Sequence, residues 1–176
     1  MRSRPEPTGS TFVAIDFETA DYGRDSACAL GVVRAERGRI IDRQSYLIRP
    51  PRPYIEFTYI HGITWAHVSR KPTFRELWPR VKPMLEGVDF FAAHNASFDR
   101  SVLEACCTSA RVKPPIVPFL CTMRLARKIW SIRPTRLPDV CQHLGLRLKH
   151  HDALSDAEAC ARIVLAAHRS ATGTAG

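Results

Sequence analysis

Apolar residues dominate the segment from Phe12 to Thr19, which is interrupted near its end by two carboxylates, Asp16 and Glu18. A short run of this kind, rich in β-branched and aromatic residues, is typical of a strand buried on both faces of a sheet. Because side chains alternate along a strand, both acids are expected to project from one face at its carboxyl end. Two carboxylates held this close favour a divalent cation between them, although a strand end that exposes its acids to water fits the same pattern.

Two further extended runs follow the first strand, at residues 28–36 and 40–48. They are separated by Arg37-Gly38-Arg39, a hairpin signal with glycine at the tight position. Three prolines between residues 50 and 53 end the third strand, because proline cannot donate to a sheet ladder. These three strands are therefore expected to form an antiparallel meander.

A helix is predicted from residue 74 to residue 85, where apolar side chains recur at helical spacing. Pro79 and Pro83 lie inside this segment, so the helix is expected to be kinked or broken. A buried strand at 88–93 comes next, and polar residues at 94–97 supply cap chemistry for another helix.

A short strand near 119–121 completes a β-α-β unit, which implies parallel pairing, and further helices follow it. The predicted fold class is α/β, with a five-stranded mixed sheet (an antiparallel meander, then parallel strands) flanked by helices. We expect a single domain over residues 11–170, between a disordered lead-in at 1–10 and a short tail at 171–176.

Composition narrows the class of protein. The six cysteines form no C-x-x-C pair and mostly lie in apolar runs, which indicates free thiols in a reducing compartment rather than disulfides. No apolar run approaches the roughly 20 residues that a membrane span requires. We therefore expect a soluble, cytoplasmic protein with no membrane partner.

The formal net charge of +9 is unusual for a chain whose candidate site is acidic. Between Arg111 and His150 there are nine lysines and arginines, and the only acid is Asp139. A basic surface around a negative centre suits a polyanionic substrate that is held by its phosphates. A generic solubilising charge is the alternative explanation.

Three more polar residues follow buried elements. Asp99 comes after the fourth strand and should stand near Asp16 and Glu18, although an acid in a first helical turn is common for the helix dipole alone. His151 and Asp156 lie where the last helix begins. That helix has two candidate caps, because Ser155 and Glu158 match a capping box whereas Asp152 would cap one turn earlier.

Four ordered motifs carry a resemblance to a known family. They are DFET at Asp16–Thr19, HGIT at His61–Thr64, N-x-x-F-D at Asn95–Asp99 and H-x-x-x-x-D at His151–Asp156. Together they strongly resemble the DEDD superfamily of 3′–5′ exonucleases. The position of the histidine matches the DEDDh branch, which includes the proofreading epsilon subunit of bacterial DNA polymerase III. The resemblance covers about residues 11–168 and implies a ribonuclease H-like fold whose first strand is central.

The resemblance also implies roles for individual residues. Asp16, Glu18, Asp99 and Asp156 fall on the acids that hold two divalent cations, Mg²⁺ with Mn²⁺ as a substitute, and His151 falls on the general base. Residues expected to bind the 3′-terminal nucleotide are Thr19, His61, Gly62, Ile63, Asn95 and Phe98, although His61 to Thr64 also fits a simple glycine turn. Cys121-Thr122 departs from the Asp-Thr of many relatives at a position that is not a metal ligand.

The expected function is metal-dependent 3′–5′ hydrolysis of phosphodiester bonds at the 3′ end of single-stranded nucleic acid, with DNA favoured. An exoribonuclease acting on short RNA or RNA 3′ ends is the first alternative. A catalytically silent nucleic-acid-binding domain is a remote one. The resemblance also admits association with a polymerase, although the segment after the last helix contains no recognisable docking motif.

Overall fold

The structure is a computed structural model and describes residues 10–173. The predicted lead-in, apart from Ser10, and residues 174–176 of the predicted tail lie outside the described residues. The strands are β1 (Phe12–Thr19), β2 (Ala27–Glu36), β3 (Arg39–Leu47), β4 (Phe90–Ala93) and β5 (Phe119–Cys121). The helices are α1 (Thr58–His61), α2 (Trp65–Val68), α3 (Phe74–Leu85), α4 (Ala96–Ala110), α5 (Thr122–Trp130), α6 (Leu137–Leu144) and α7 (Ala153–Gly173).

The strands form one mixed sheet in the order β3-β2-β1-β4-β5, which confirms the predicted architecture and the central place of β1. β1 pairs antiparallel with β2 and parallel with β4, and β4 pairs parallel with β5. The carboxyl ends of the three parallel strands therefore meet at one edge of the sheet. This edge carries the acidic end of β1, the start of α4 and the start of α5.

Helices cover both faces of the sheet, as a central strand of apolar residues requires. One face of β1, formed by Val13, Ile15 and Phe17, packs in a core with α3 and α4. Phe12 and Ala14 belong to the opposite core, which contains residues of α5, α6 and α7. Because Asp16 and Glu18 continue the alternation of Phe12 and Ala14, they emerge on the α7 side of the sheet.

A glycine in β2 allows α7 to lie close to the sheet. A Cβ atom on Gly31 would collide with the backbone carbonyl of Ala153, the first residue of α7, and would lie 2.6 Å from the backbone nitrogen of Leu154. Only glycine fits beneath this helix terminus. The contact places the residues around the start of α7 over the acidic end of β1.

Of the two predicted outcomes for α3, a kink or a break, the structure excludes the break, because this helix is continuous from Phe74 to Leu85 with both prolines inside it. Pro79 and Pro83 lie on the exposed face, while five apolar side chains on the other face are buried. Burial of that face outweighs the two backbone hydrogen bonds that the prolines cannot donate.

At the helix termini, the structure departs from the predicted cap before α4 and decides between the two candidate caps of α7. The residue that precedes α4 is Asn95, which has a left-handed backbone with φ of 63° and makes no side-chain capping hydrogen bond. The start of α7 is settled in favour of Asp152, whose Oδ1 accepts a hydrogen bond from the Ser155 amide at 3.1 Å. Glu158 instead pairs with Arg43 and Arg162, so the alternative capping box does not form.

The remaining predictions about elements need smaller adjustments. β4 begins at Phe90, two residues after the predicted start of that strand. α7 continues to Gly173, which lies beyond the predicted end of the domain at residue 170. All six cysteines are free, and each is buried except the partly exposed Cys121. Within residues 10–173, no helix combines the length and the apolar character that a membrane crossing would require.

Candidate active site

Three carboxylates converge where β1 reaches the edge of the sheet. Asp16, Glu18 and Asp156 each offer an oxygen, and these atoms lie within 4.8 Å of one another. Asp16 and Glu18 come from alternate positions of β1, whereas Asp156 comes from the first turn of α7. The close contact between α7 and Gly31 is therefore what brings the acid of a distant segment to the acids of the central strand.

Asp99 lies behind this group. Its side chain is 2% exposed, and its Oδ1 accepts a hydrogen bond from the Phe17 amide at 3.0 Å. This bond joins the first turn of α4 to the acidic end of β1. The structure thus brings Asp99 to the same sheet edge as the other three acids, as predicted, but places it outside the group of mutually close oxygens.

Burial and mutual repulsion raise the pKa values of these acids. Burial, assisted by the negative charge of Asp156, raises the pKa of Glu18 to about 7. Burial likewise raises the pKa of Asp99 to about 8, although the hydrogen bond from the Phe17 amide lowers it. The pKa of Asp16 lies well above its usual range because its carboxylate is desolvated and faces Asp99, Asp156 and Glu18. These acids need added positive charge to be ionised together.

The two carboxylate oxygens of Asp156 differ in their hydrogen bonding. Its Oδ2 accepts a hydrogen bond from the His151 amide at 3.1 Å and lies 2.9 Å from Nδ1 of His150. Its Oδ1 is buried and has no hydrogen-bond partner among the described residues. A buried carboxylate oxygen without a partner, beside two other acids, is suited to a hard cation with oxygen ligands. The donor set therefore fits the predicted divalent metal.

The two histidines that precede α7 stack on each other, with ring centroids 3.8 Å apart. His151 has a left-handed backbone, with φ of 66°, which directs its N–H toward Asp156 while its side chain remains exposed. The pKa of His151 is lowered by partial burial of its ring and by the nearby His150. The negative charge of Asp156 raises this pKa, but by less. The imidazole of His151 is therefore mainly neutral at pH 7 and able to accept a proton.

A cavity of about 590 Å³ contains this site. Of the residues predicted to bind substrate, Thr19, His61, Asn95 and Phe98 line it, together with Asp16, Glu18, His151 and Asp156. Gly62 and Ile63 are not among its lining residues. Gly62 ends α1 in a left-handed conformation, and Ile63 packs beside a small core that contains Val68.

His61 is positioned by two backbone contacts. Its Nε2 lies 3.2 Å from the carbonyl oxygen of Thr19, and its Nδ1 accepts a hydrogen bond from the Ile63 amide at 3.1 Å. Burial lowers the pKa of His61, and the contact with the Thr19 carbonyl raises it by less. The ring is therefore mainly neutral at pH 7. The glycine turn that follows α1 thus serves to hold His61 beside the carboxyl end of β1.

Sequence reasoning missed several residues of the cavity wall. These are Phe57, His94, Met123, Arg136, Leu137 and His150. His150 was the one with a sequence signal, because it adjoins the predicted base and lies six residues before Asp156. The others come from segments whose approach to β1 depends on tertiary packing, and no local pattern marks them.

Comparisons with known proteins identify the family to which the chain belongs. A family model described as an exonuclease, RNase_T, matches residues 13–164. Exodeoxyribonuclease 10 of Escherichia coli K12 is 35% identical over 139 residues, which cover 73% of this chain and 56% of that protein. PolC-type DNA polymerase III of Thermotoga maritima is 32% identical over 160 residues, or 89% of this chain and 12% of the polymerase. The chain therefore spans about half of the first relative and a small part of the second.

A solved structure extends the likeness to the fold. Exonuclease X in complex with 5′ overhanging duplex DNA superimposes with a TM-score of 0.73 at 28% identity, covering 92% of this chain and 93% of that one. The sheet order agrees with the predicted fold, and the family model matches residues 13–164, which include the acidic end of the central strand. This chain belongs to the RNase_T family of exonucleases.

Proposed function

We propose that this chain is a 3′–5′ exonuclease that hydrolyses phosphodiester bonds at the 3′ end of single-stranded nucleic acid, with DNA as the favoured substrate. The observation that carries the proposal is the convergence of Asp16, Glu18 and Asp156 within 4.8 Å, beside an orphaned oxygen of Asp156. A basic chain that concentrates buried acids at one cavity has the charge distribution of an enzyme that combines cations with a polyanion. The preference for DNA rests on the names of the relatives at 32% and 35% identity.

Asp16, Glu18 and Asp156 would hold divalent cations, and the buried Asp99, which is bonded to the Phe17 amide, would support them. We propose two ions, with Mg²⁺ as the native metal and Mn²⁺ as a substitute. A pair of such ions stabilises the attacking and leaving oxygens of an in-line displacement at phosphorus. Carboxylate oxygens are the ligands that hard cations of this size prefer.

The chain's own residues supply proton transfer and positioning. His151 would accept a proton from the attacking water, because its ring is neutral at pH 7 and borders the cavity. His61, Phe98, Asn95 and Thr19 would surround the terminal nucleotide, while Gly62 and Ile63 would act indirectly by orienting His61. The six free thiols suit the reducing cytoplasm as its location.

The test is a time course with 5′-labelled single-stranded DNA and RNA of the same sequence, each with Mg²⁺, with Mn²⁺ or with chelator. We expect a ladder that shortens from the 3′ end only when metal is present, and faster for DNA. Faster shortening of RNA would make the chain an exoribonuclease. Binding without shortening of either strand in any metal would leave only a silent binding domain.

A further inference from the structure

Arginines surround a second cleft that opens beside the candidate active site. This arginine cleft has a volume of about 300 Å³ and is lined by Met123, Arg127, Arg133, Pro134, Thr135 and Arg136. None of these six residues is acidic. Met123 and Arg136 also line the active-site cavity, so the two cavities share a wall. A strand that leaves the active site between Met123 and Arg136 would lie against the arginine cleft.

Thr135 holds the wall of the arginine cleft in place. It is 3% exposed, and its Oγ1 accepts a hydrogen bond from Nε of Arg127 at 2.8 Å and donates to the carbonyl oxygen of Ile132 at 3.1 Å. The Thr135 carbonyl oxygen lies 2.9 Å from Nε2 of His94, which follows β4. These contacts orient Arg127 and tie the arginine-bearing loop to the sheet edge that carries the acids.

The arginine cleft has a net positive charge even though one of its arginines is paired with an acid. Arg136 pairs with Asp139 at 2.9 Å, so three lining arginines face one aspartate. Arg133 is exposed at the mouth of the cleft, where it is accessible to a ligand. A concave surface with excess positive charge attracts phosphate groups.

We propose that the arginine cleft binds backbone phosphates of the substrate strand on the 5′ side of the nucleotide that is removed. This inference rests on the proposed function. It specifies that the preferred substrate is a strand long enough to reach from the active site into the arginine cleft. Because the strand ends at its 3′ terminus in the active site, only its 5′ portion can extend past Met123. Phosphate contacts carry no base information, so the cleft selects for strand length and not for sequence.

The test compares cleavage of a dinucleotide with cleavage of a strand of about 12 nucleotides, within the range of single-strand site sizes. Arg133→Gln removes a charge without touching the Thr135 contacts. We expect it to lower the ratio of kcat/KM for the long strand to kcat/KM for the dinucleotide by about fivefold, the upper range for an exposed ionic contact. Arg39→Gln, an equal change of charge at the start of β3 on the opposite sheet edge, should leave this ratio at the wild-type value.

A binding measurement separates failure of this inference from failure of the proposed function. With metal chelated, the affinity for a labelled strand should fall with salt, and Arg133→Gln should make the logarithmic slope shallower by about 0.7, the value for one phosphate of a single strand. If the wild-type chain cleaves neither substrate in Mg²⁺ or Mn²⁺, the proposed function fails and the slope still tests the cleft. Equal ratios and equal slopes for Arg133→Gln and Arg39→Gln would overturn the arginine cleft as a phosphate site.

Discussion

His151 borders the cavity and donates its backbone N–H to Asp156, so one residue is both held by a proposed metal ligand and available as a base. Because its pKa is lowered, the ring is ready to accept a proton at pH 7. We predict that His151→Ala lowers kcat by about 10²–10⁴-fold, the range for a general base, while Mn²⁺ affinity stays near the wild-type value. Single-turnover assays and a Mn²⁺ titration measure the two effects.

The matched control for this substitution is His143→Ala, which removes an exposed histidine from α6. It should retain wild-type turnover. If His151→Ala also turned over at the wild-type rate, another group would have to take the proton, and the neighbouring His150 would be the next to test.

Asp156→Asn provides the second prediction at single-residue scale. The amide oxygen can still accept the hydrogen bond from His151, but the orphaned position loses its negative charge. We expect Mn²⁺ affinity to fall at least about tenfold and cleavage to stop, while single-strand binding in chelator persists. Isothermal titration with Mn²⁺ and anisotropy with a labelled strand give the two readouts. Full activity at saturating Mg²⁺ would remove Asp156 from the proposed ligands.

Individual residues were predictable where a local pattern fixed their direction. The alternation of β1 placed Asp16 and Glu18 on one face, and the burial of both sides of that strand was visible in its composition. The packing of Asp99 against the Phe17 amide was not predictable, because it depends on the approach of α4 to β1 across 82 residues of sequence. His150 was missed because the motif H-x-x-x-x-D contains one histidine, and His151 has the matching spacing to Asp156.

At the scale of elements, the site depends on how closely α7 approaches β2. Gly31→Ala would push a methyl group into the backbone of Ala153 and displace the start of α7, which carries Asp156 and follows His151. We predict a loss of about 1–3 kcal/mol in the free energy of unfolding, typical of overpacking, together with a lower kcat and weaker Mn²⁺ binding. Chemical denaturation and steady-state assays on the same preparations test both effects.

Val81→Ala is the control for Gly31→Ala, because Val81 is buried in the core on the other face of the sheet. It should destabilise the chain through a cavity and leave the kcat of the folded fraction near the wild-type value. A normal kcat in Gly31→Ala, at a comparable loss of stability, would show that the site tolerates a shift of α7.

The elements themselves were largely predictable, because their apolar periodicity agrees with the tertiary structure. Where a local rule was insufficient, tertiary contacts decided the outcome. α3 remains a helix through Pro79 and Pro83 because the opposite face is packed. Of the two candidate caps of α7, Asp152 forms and the S-x-x-E pattern at Ser155 does not, because Glu158 pairs with Arg43 from β3. Neither outcome can be read from the residues of the segment alone.

At the scale of the whole molecule, folding brings four acids together at a cost that depends on pH. Unfolded Asp and Glu titrate near pH 4, whereas the folded pKa values of Glu18 and Asp99 are about 7 and 8. Between these limits the folded state binds more protons than the unfolded state. The contribution of these groups to stability is therefore present below pH 4 and is lost as the pH rises toward 8.

We predict that, in chelator, the free energy of unfolding of the wild-type chain relative to Asp99→Asn falls by about 1 kcal/mol or more between pH 6.5 and 8. The comparison with Asp99→Asn is needed because the half-buried His61 and His94 have lowered pKa values and change stability in the opposite direction. If the acids hold Mg²⁺ as proposed, a saturating concentration of it would bind only the folded site and should reverse this difference. Urea titrations at both pH values, with and without Mg²⁺, measure it. A difference that does not change with pH would mean that the acids are ionised without metal, and the electrostatic reason for a cation at this site would disappear.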